Sequence, residues 1–321
     1  MRAVQIVETG GPEVMKLADV PIPEPGPGQV RIAVEAAGLN FLDTYLRSGV
    51  YPVEVPLLIG KECAGTVSAV GQGVDNLSVG DRVATPLADG TYADECIAPA
   101  PLTFRVPDGV DSATAAAAAL QGLTAHYLAY STFELQAGHR CLIHAGAGGV
   151  GGLLIQMAKR LGAEVFTTVG TDEKAAVAAE AGADHVIVYT AQDFVEAVRA
   201  EIGDGGLDVV YDGVGKDTFD GGLSLLRPRG MMALFGGSSG QVPPFDLQRL
   251  NTAGSLFVTR PSLGHYIAPP EGQSRADDLF GWIASGELDI RIGARYGLEQ
   301  AAEAHRALEG RLTTGKVLLL P

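Results

Sequence analysis

The sequence predicts an α/β protein, with a turn-rich, barrel-like β domain followed by a doubly wound parallel sheet. Three observations carry this expectation. The first 110 residues hold short β-branched or alternating runs broken by proline and glycine. From Arg140 onward, strand and helix patterns alternate. Glycine supplies 43 of the 321 residues, well above the ~7% of an average protein, and it is used where backbone turns tightly or approaches something closely. At ~100–200 residues per domain the length fits about two domains.

In the first part, Val4–Val7, Gln29–Ala37, Ala64–Val70, Arg82–Thr85 and Tyr92–Ile97 read as strands. The cluster Pro21–Gly28 and the turns at Gly71, Gly80 and Pro107-Asp-Gly separate them. Asp111–Tyr130 is alanine-rich and helix-forming, with Asp111 or Ser112 as its N-cap. A strand at Cys141–His144 then leads to a helix over Val150–Leu161, where Val150, Leu153, Leu154, Met157, Ala158 and Leu161 recur at helical spacing. Strand Val165–Val169, helix Asp172–Ala181, strand Val186–Tyr189 and helix Asp193–Ile202 follow. Strand Val209–Asp212, helix Lys216–Leu226 and strand Met231–Phe235 complete an alternation that belongs to a parallel sheet with crossover helices. Residues 275–321 leave this rhythm and end in a helix at Leu298–Leu308 and a strand at Val317–Leu320. No repeat of solenoid period is present.

The net charge is −15 and there is no run of Lys or Arg, which disfavours nucleic acid and anionic membranes as partners. Three cysteines, Cys63, Cys96 and Cys141, are an odd number without close pairs. That argues against a disulfide framework and against a cysteine zinc site. The N-terminus lacks the apolar core of a signal peptide, and no apolar run approaches the ~18 residues that span a bilayer. The expectation is a soluble, cytoplasmic protein. Its six histidines show no metal-binding spacing.

The sharpest chemical signal is Gly146-Ala-Gly148-Gly-Val-Gly151, a G-x-G-x-x-G that follows one strand and opens a helix. The first glycine permits a tight turn, the second a close approach to pyrophosphate, and the third tight helix–strand packing. The helix start at Val150 presents unpaired N–H groups to phosphates. An NAD site would place a carboxylate at the end of the next strand, on the ribose 2′-hydroxyl. Here that position reads Phe166–Thr171 without an acid, and Lys174 follows one turn later. The donors favour NADPH, although Asp172 and Glu173 lie beside them; a solvated helix face is the alternative reading of Lys174.

Together these residues resemble the medium-chain dehydrogenase/reductase superfamily, and within it the zinc-independent NADPH:quinone oxidoreductases of the zeta-crystallin type. The resemblance covers the whole chain and is carried by the Gly10–Val14 stretch, the run from Gly38 to Gly49, Val79–Val83, Gly122–Ala125, the glycine loop and Val258–Leu263. It implies a Rossmann domain (121–264) for NADPH and a GroES-like β-barrel domain (1–120 with 265–321), with substrate entering the cleft between them. Zinc-dependent members carry cysteine where this chain has Asn40 and histidine where it has Lys61, and they have a four-cysteine lobe that is absent here. The resemblance therefore implies no metal.

By the same resemblance, Asn40, Asp43, Tyr45 and Tyr51 line the catalytic site. The tyrosines would position a planar quinone, and Asn40 or solvent would help the developing oxyanion. Phe41, Tyr45, Tyr127, Gly149, Val150, Phe235, Gly236, Ser238, Phe257 and Thr259 form the wall around the ribose, pyrophosphate and nicotinamide. Gly170, Thr171, Lys174, Tyr189 and Arg311 surround the adenosine phosphate; an ordinary surface salt bridge is the alternative for Arg311. The implied activity is reduction of a quinone, with reduction of an activated C=C bond in an enal or enone as the second reading. A homodimer formed through strands near Gly254–Arg260 is implied as well.

Overall fold

The computed structural model describes residues 1–321. The chain divides into two units, Met1–Leu123 with Tyr266–Pro321, and Thr124–His265.

The N-terminal segment of the first unit contains β1 (Arg2–Ile6), β2 (Lys16–Asp19), β3 (Gln29–Leu39), α1 (Phe41–Ser48), β4 (Leu57–Leu58), β5 (Glu62–Val70), β6 (Arg82–Thr85), β7 (Glu95–Pro99) and β8 (Phe104–Arg105), and it ends within α2 (Ser112–Tyr127). The second unit follows with β9 (Arg140–His144), α3 (Gly149–Arg160), β10 (Glu164–Val169), α4 (Asp172–Glu180), β11 (His185–Val188), α5 (Phe194–Ile202) and β12 (Leu207–Asp212). It continues with α6 (Phe219–Leu225), β13 (Leu226–Leu234), α7 (Gln248–Thr252) and β14 (Phe257–Thr259). The C-terminal segment returns to the first unit with α8 (Glu271–Ala284), β15 (Ile292–Gly297), α9 (Ala301–Glu309) and β16 (Lys316–Leu320).

Strand β3 organises the first unit. One edge of its first half, Gln29–Ala33, pairs with β7, and one edge of its second half, Ala37–Leu39, pairs with β16. The other edge pairs with β5 along nearly its whole length. The sheet runs β15-β16-β3-β5-β6-β8 with β7 on β3, and a smaller sheet runs β2-β1-β4. Alternate side chains of a strand face opposite ways, so Val30, Ile32 and Val34 enter a core with Ile6, Val67, Val83, Val317 and Leu319.

The second unit is a six-stranded, all-parallel sheet ordered β11-β10-β9-β12-β13-β14. The direction of winding reverses between β9 and β12, the place where open α/β sheets bind ligands beyond their strand ends. Leu142, Phe166, Val210, Leu223 and Met232 share its core.

Several elements depart from the sequence reading. Helices α1 and α8 were not anticipated. Strand β7 begins at Glu95, not Tyr92. Helix α6 starts at Phe219, not Lys216, because the Asp212 carboxylate draws the N–H groups of Val214 and Gly215 and the Thr218 hydroxyl into a turn first. Strand β13 begins at Leu226, which pairs with Leu207 before a bulge. Asp111 is the N-cap of α2, its carboxylate accepting from Thr114 N–H at 2.7 Å. The alanine-rich helix then ends in a π-helical turn over Leu128–Thr132.

Candidate active site

Strand β9 ends in His144, and the backbone turns at Ala145 with φ +59 before the glycines begin. Gly148, at the N-cap of α3, has no side chain to satisfy the helix's first N–H groups, which have no intrahelical partners either. Those groups and the positive end of the helix dipole suit an anion. Gly151 lies in the first turn, where a Cβ would collide with the carbonyl oxygen of Ala145. Loop and helix thus pack too closely for any side chain. The loop is braced from β10: Gly146 N–H donates to Thr168 O at 3.1 Å, and the Thr168 hydroxyl meets His144 Nδ1 at 2.9 Å. Gly146, Gly148, Gly149, Val150 and Gly151 therefore form a carboxylate-free cradle that fits a dinucleotide pyrophosphate.

At the end of β10 the structure brings Gly170, Thr171, Lys174 and Tyr189 together. The Tyr189 hydroxyl lies against Gly170. Thr171 is the N-cap of α4, accepting from Lys174 N–H at 3.3 Å. Glu173 is held below the usual carboxylate range by its own N–H and the Thr171 hydroxyl, so it sits at the helix start as an N-terminal acid. Thr190, which the sequence reading passed over, donates to Gly170 O at 3.0 Å. Arg311 belongs to the first unit, just beyond α9, with φ +57.

Phe235 and Gly236 donate their N–H groups to Asp212 O, and Ser238 donates to Gly213 O. The loop after β13 is therefore laid over the loop after β12. Buried Asp212, absent from the expected site, is what orders that loop, and the Asp-Gly pair that follows β12 was its only signal. Tyr127 is buried at the end of α2. Phe257 and Thr259 lie on the edge strand β14, with Phe257 56% exposed.

In the first unit, Asn40 and Asp43 open α1. Asn40 N–H donates to Asp43 Oδ2 at 2.9 Å, and the Tyr92 hydroxyl donates to the same oxygen at 2.9 Å. Asp43 Oδ1 is buried without a partner. Burial pushes the Asp43 carboxyl up to about 6, against the pull of its two donors.

The Asn40 carboxamide does not cap the helix. Asn40 Nδ2 donates to Glu62 Oε2 at 2.8 Å and to Gly38 O at 3.2 Å, while Oδ1 accepts from Lys316 Nζ at 2.7 Å and Gln121 Nε2 at 3.4 Å. An N-cap side chain contributes about 1 kcal/mol, and here that contribution is forgone for contacts across the fold. Lys316 Nζ also pairs with Glu62 Oε2, and Glu62 Oε1 accepts from Leu120 N–H at 2.5 Å. Position 38 must be glycine for this: a Cβ there would strike both Glu62 and Lys316. Burial lowers the Lys316 ammonium despite its partner.

Both Asn40 amide hydrogens are thus engaged, and Asp43 is wholly buried. Tyr45 and Tyr51 are partly exposed, their rings 5.4 Å apart and edge-on at 64°, with Phe41 6.3 Å from Tyr45. Lys61 turns outward to Asp89. No group of three or more His, Cys, Asp or Glu side chains is placed to hold a metal ion. Glu62, Tyr92, Gln121 and Lys316 escaped the sequence reading. Lys316 lies 254 positions from Glu62, so no local spacing links them.

Comparison with known proteins agrees with this architecture. A family model for the alcohol dehydrogenase GroES-like domain matches residues 26–131, and one for zinc-binding dehydrogenases matches residues 149–267. A quinone oxidoreductase of Pseudomonas aeruginosa is 44% identical over 100% of this chain and 99% of its own. A 2-haloacrylate reductase of a Burkholderia species is 42% identical over 99% of this chain and 98% of its own. A mycobacterial protein solved in complex with NADPH superposes with a TM-score of 0.97 at 51% identity, covering 100% of both chains. With a full-length relative at this identity, a GroES-like first unit and a Rossmann second unit, the chain belongs to the quinone oxidoreductase family of the medium-chain dehydrogenase/reductase superfamily.

Proposed function

We propose that this protein reduces quinones with NADPH by hydride transfer that requires no zinc. The observation that carries the reading is the carboxylate-free glycine cradle at the start of α3, continued at the end of β10 by Thr171, Lys174 and Tyr189. It sits in a chain 44% identical, end to end, to a quinone oxidoreductase. NADPH, when bound, supplies the hydride; with one proton from solvent, quinone becomes hydroquinone. The chain's own residues bind and orient. Gly146–Gly151 receive the pyrophosphate, Lys174 and Tyr189 the 2′-phosphate, and Tyr127, Phe235, Gly236, Ser238, Phe257 and Thr259 contribute to the wall.

On the acceptor side, Tyr45 and Tyr51 offer the faces that suit a flat ring, and excluding water and aligning two rings is most of what such a transfer asks of a protein. Since the Asn40 hydrogens are engaged, the developing oxyanion is served by a tyrosine hydroxyl or by solvent. The same committed carboxamide, together with Lys61 turned to Asp89, leaves a poor donor set for zinc.

The 2-haloacrylate reductase relative favours a second reading, reduction of an activated C=C bond. Initial rates of NADPH oxidation with 1,4-benzoquinone and with 2-chloroacrylate decide between them, each measured before and after a chelator. Faster, chelator-insensitive turnover of the quinone is the expected result. A preference for the haloacrylate transfers the assignment, and loss of activity to the chelator ends the zinc-free reading.

No helix is long and apolar enough to cross a membrane. The three thiols are free and buried, which fits a reducing cytoplasm. For a homodimer, the candidate edge is β14, where Phe257 and Val258 are 56% and 37% exposed and one side of the strand is unpaired. Exposed apolar edges are pairing sites. A Val258→Lys substitution is expected to shift the light-scattering mass from dimer to monomer.

A further inference from the structure

Helix α1 is built inside out. Its buried side chains are Asp43, Thr44 and Arg47, and with Asn40 they fall at i, i+3, i+4 and i+7, the spacing of one helix face. The opposite face carries Phe41, Leu42, Tyr45 and Leu46, all only partly buried. An ordinary amphipathic helix would seat the second face in the core and leave the first in water. Three buried connections reverse this. At the N-terminal end, Asp43 is held by Asn40 N–H and Tyr92, and the Asn40 carboxamide by Glu62, Lys316 and Gln121. At the other end Arg47 makes two bonds to Glu309, at 2.7 and 2.9 Å, and others to His305 and Gly10 O.

We propose that Glu62 and Lys316 are positioning residues for the acceptor: their buried ion pair clamps Asn40, seats α1 on its polar face, and so turns the Phe41–Tyr45 face and Tyr51 outward to receive a planar substrate. The pair is 0% and 1% exposed. A buried pair is seldom better for stability than apolar side chains of similar size, so stability alone gives little reason for it. Its valences go instead to Asn40 and to Leu120 N–H. Gly38 leaves the space the pair occupies. Tyr51 follows the helix through its N–H bond to Tyr45 O at 3.1 Å, so a shift of α1 moves both rings. The inference rests on the proposed reading only in taking Tyr45 and Tyr51 as the acceptor face.

The test is the near-isosteric double variant Glu62→Gln/Lys316→Met, which removes both charges and strands neither. Three measurements are compared with the parent: NADPH affinity by fluorescence titration, steady-state kinetics (kcat and KM) with 1,4-benzoquinone, and deuterium exchange of residues 41–48. We expect NADPH affinity within about two-fold, because the cradle is built from other residues. We expect kcat/KM for the quinone to fall about ten-fold or more, as small misplacements of positioning groups do, and α1 to exchange at least about ten-fold faster. Unchanged kinetics and unchanged α1 exchange in the folded double variant overturn the proposal.

Should that variant not fold, Glu62→Asp keeps the charge but withdraws the carboxylate from Asn40, and the same two readouts apply with the same signs. If the parent itself reduces no quinone, the proposed function fails, while α1 exchange still decides the clamp.

Discussion

The glycine cradle of the second unit and the polar cluster of the first are both built to hold something still, by opposite means. The cradle is made by leaving side chains out: Gly151 has no room for a Cβ, and the backbone N–H groups at the start of α3 are the donors proposed for the pyrophosphate. The cluster is made by burying side chains that ordinarily stay in water, namely Glu62, Lys316, Asp43, Asn40 and Arg47. A site of backbone tolerates almost no added atoms, and its affinity for an anion comes from N–H dipoles rather than from a side-chain charge that a substitution could strand. A site of paired charges is sensitive to any change that leaves one partner alone, because an unpaired buried ion has lost its water with nothing in return. The contrast predicts different failures for the two regions.

The largest effect is expected from Lys316→Met alone. It strands Glu62 and should lower stability by about 3–5 kcal/mol, read by urea unfolding. A loss below about 1 kcal/mol would show that the cluster is not the charge-dependent site described. Gly151→Ala tests the other region. Its Cβ meets backbone rather than a movable side chain, and a cost of about 3 kcal/mol carried into binding weakens NADPH by ~100-fold, while Asn40 and its partners are untouched. Ordinary affinity in this variant would mean that the loop and α3 are not close-packed when cofactor binds.

The pH dependence of stability sharpens the comparison within the first unit. Asp43 is raised by burial from 3.8 to about 6, so the folded protein holds its proton more tightly than the unfolded chain does. Its contribution is present at pH 4 and is lost as pH rises through 6, a destabilisation of about 3 kcal/mol by pH 7. His305 is lowered by burial, and then by Arg47, from 6.5 to about 3. Its contribution is full at pH 7 and declines below 6.5, by about 2 kcal/mol at pH 5. The two slopes oppose one another between pH 5 and 6.5. Asp43→Asn should therefore make stability fall more steeply on acidification, and His305→Gln should make it rise. Parallel profiles for the two variants would refute the assignment.

The smallest effect belongs to Lys174→Ala, at the exposed rim of the proposed cofactor site. Loss of one charge-assisted contact near the surface is expected to weaken NADPH about ten-fold, with NADH unchanged. Equal loss for both cofactors would remove the 2′-phosphate from its role.

The division between local and distant partners also explains what was readable beforehand. The strand–loop–helix around Gly146–Gly151 was legible because every participant lies within a few positions of the next, and the glycine spacing itself encodes the turn. Asp111 as an N-cap and Arg82–Thr85 as a strand were legible for the same local reason. Helix α1 carried local signals too, Asn40-x-x-Asp43 at its start and Gly49 in the left-handed region at its end, but its buried face is polar, so a search for apolar periodicity passes over it. Asp43 and Asn40 were singled out through a family resemblance as substrate contacts. Their depth below the surface and the capture of Asn40 by Glu62 and Lys316 could not be seen that way.

The sequence by itself determined the alternation that makes a parallel sheet, the carboxylate-free glycine loop and the hydroxyl- and lysine-bearing turn at the end of its second strand. All of these are written in contiguous residues whose backbone preferences and spacing act locally. Only the tertiary structure decided that Lys316, on the last strand, meets Glu62 beside Gly38, and that α1 turns its polar face inward. Burying a charge is favourable only when its counter-charge arrives at the same point. That meeting is set by the pairing of β3 with β16 and β5, across separations in the chain that no local pattern spans.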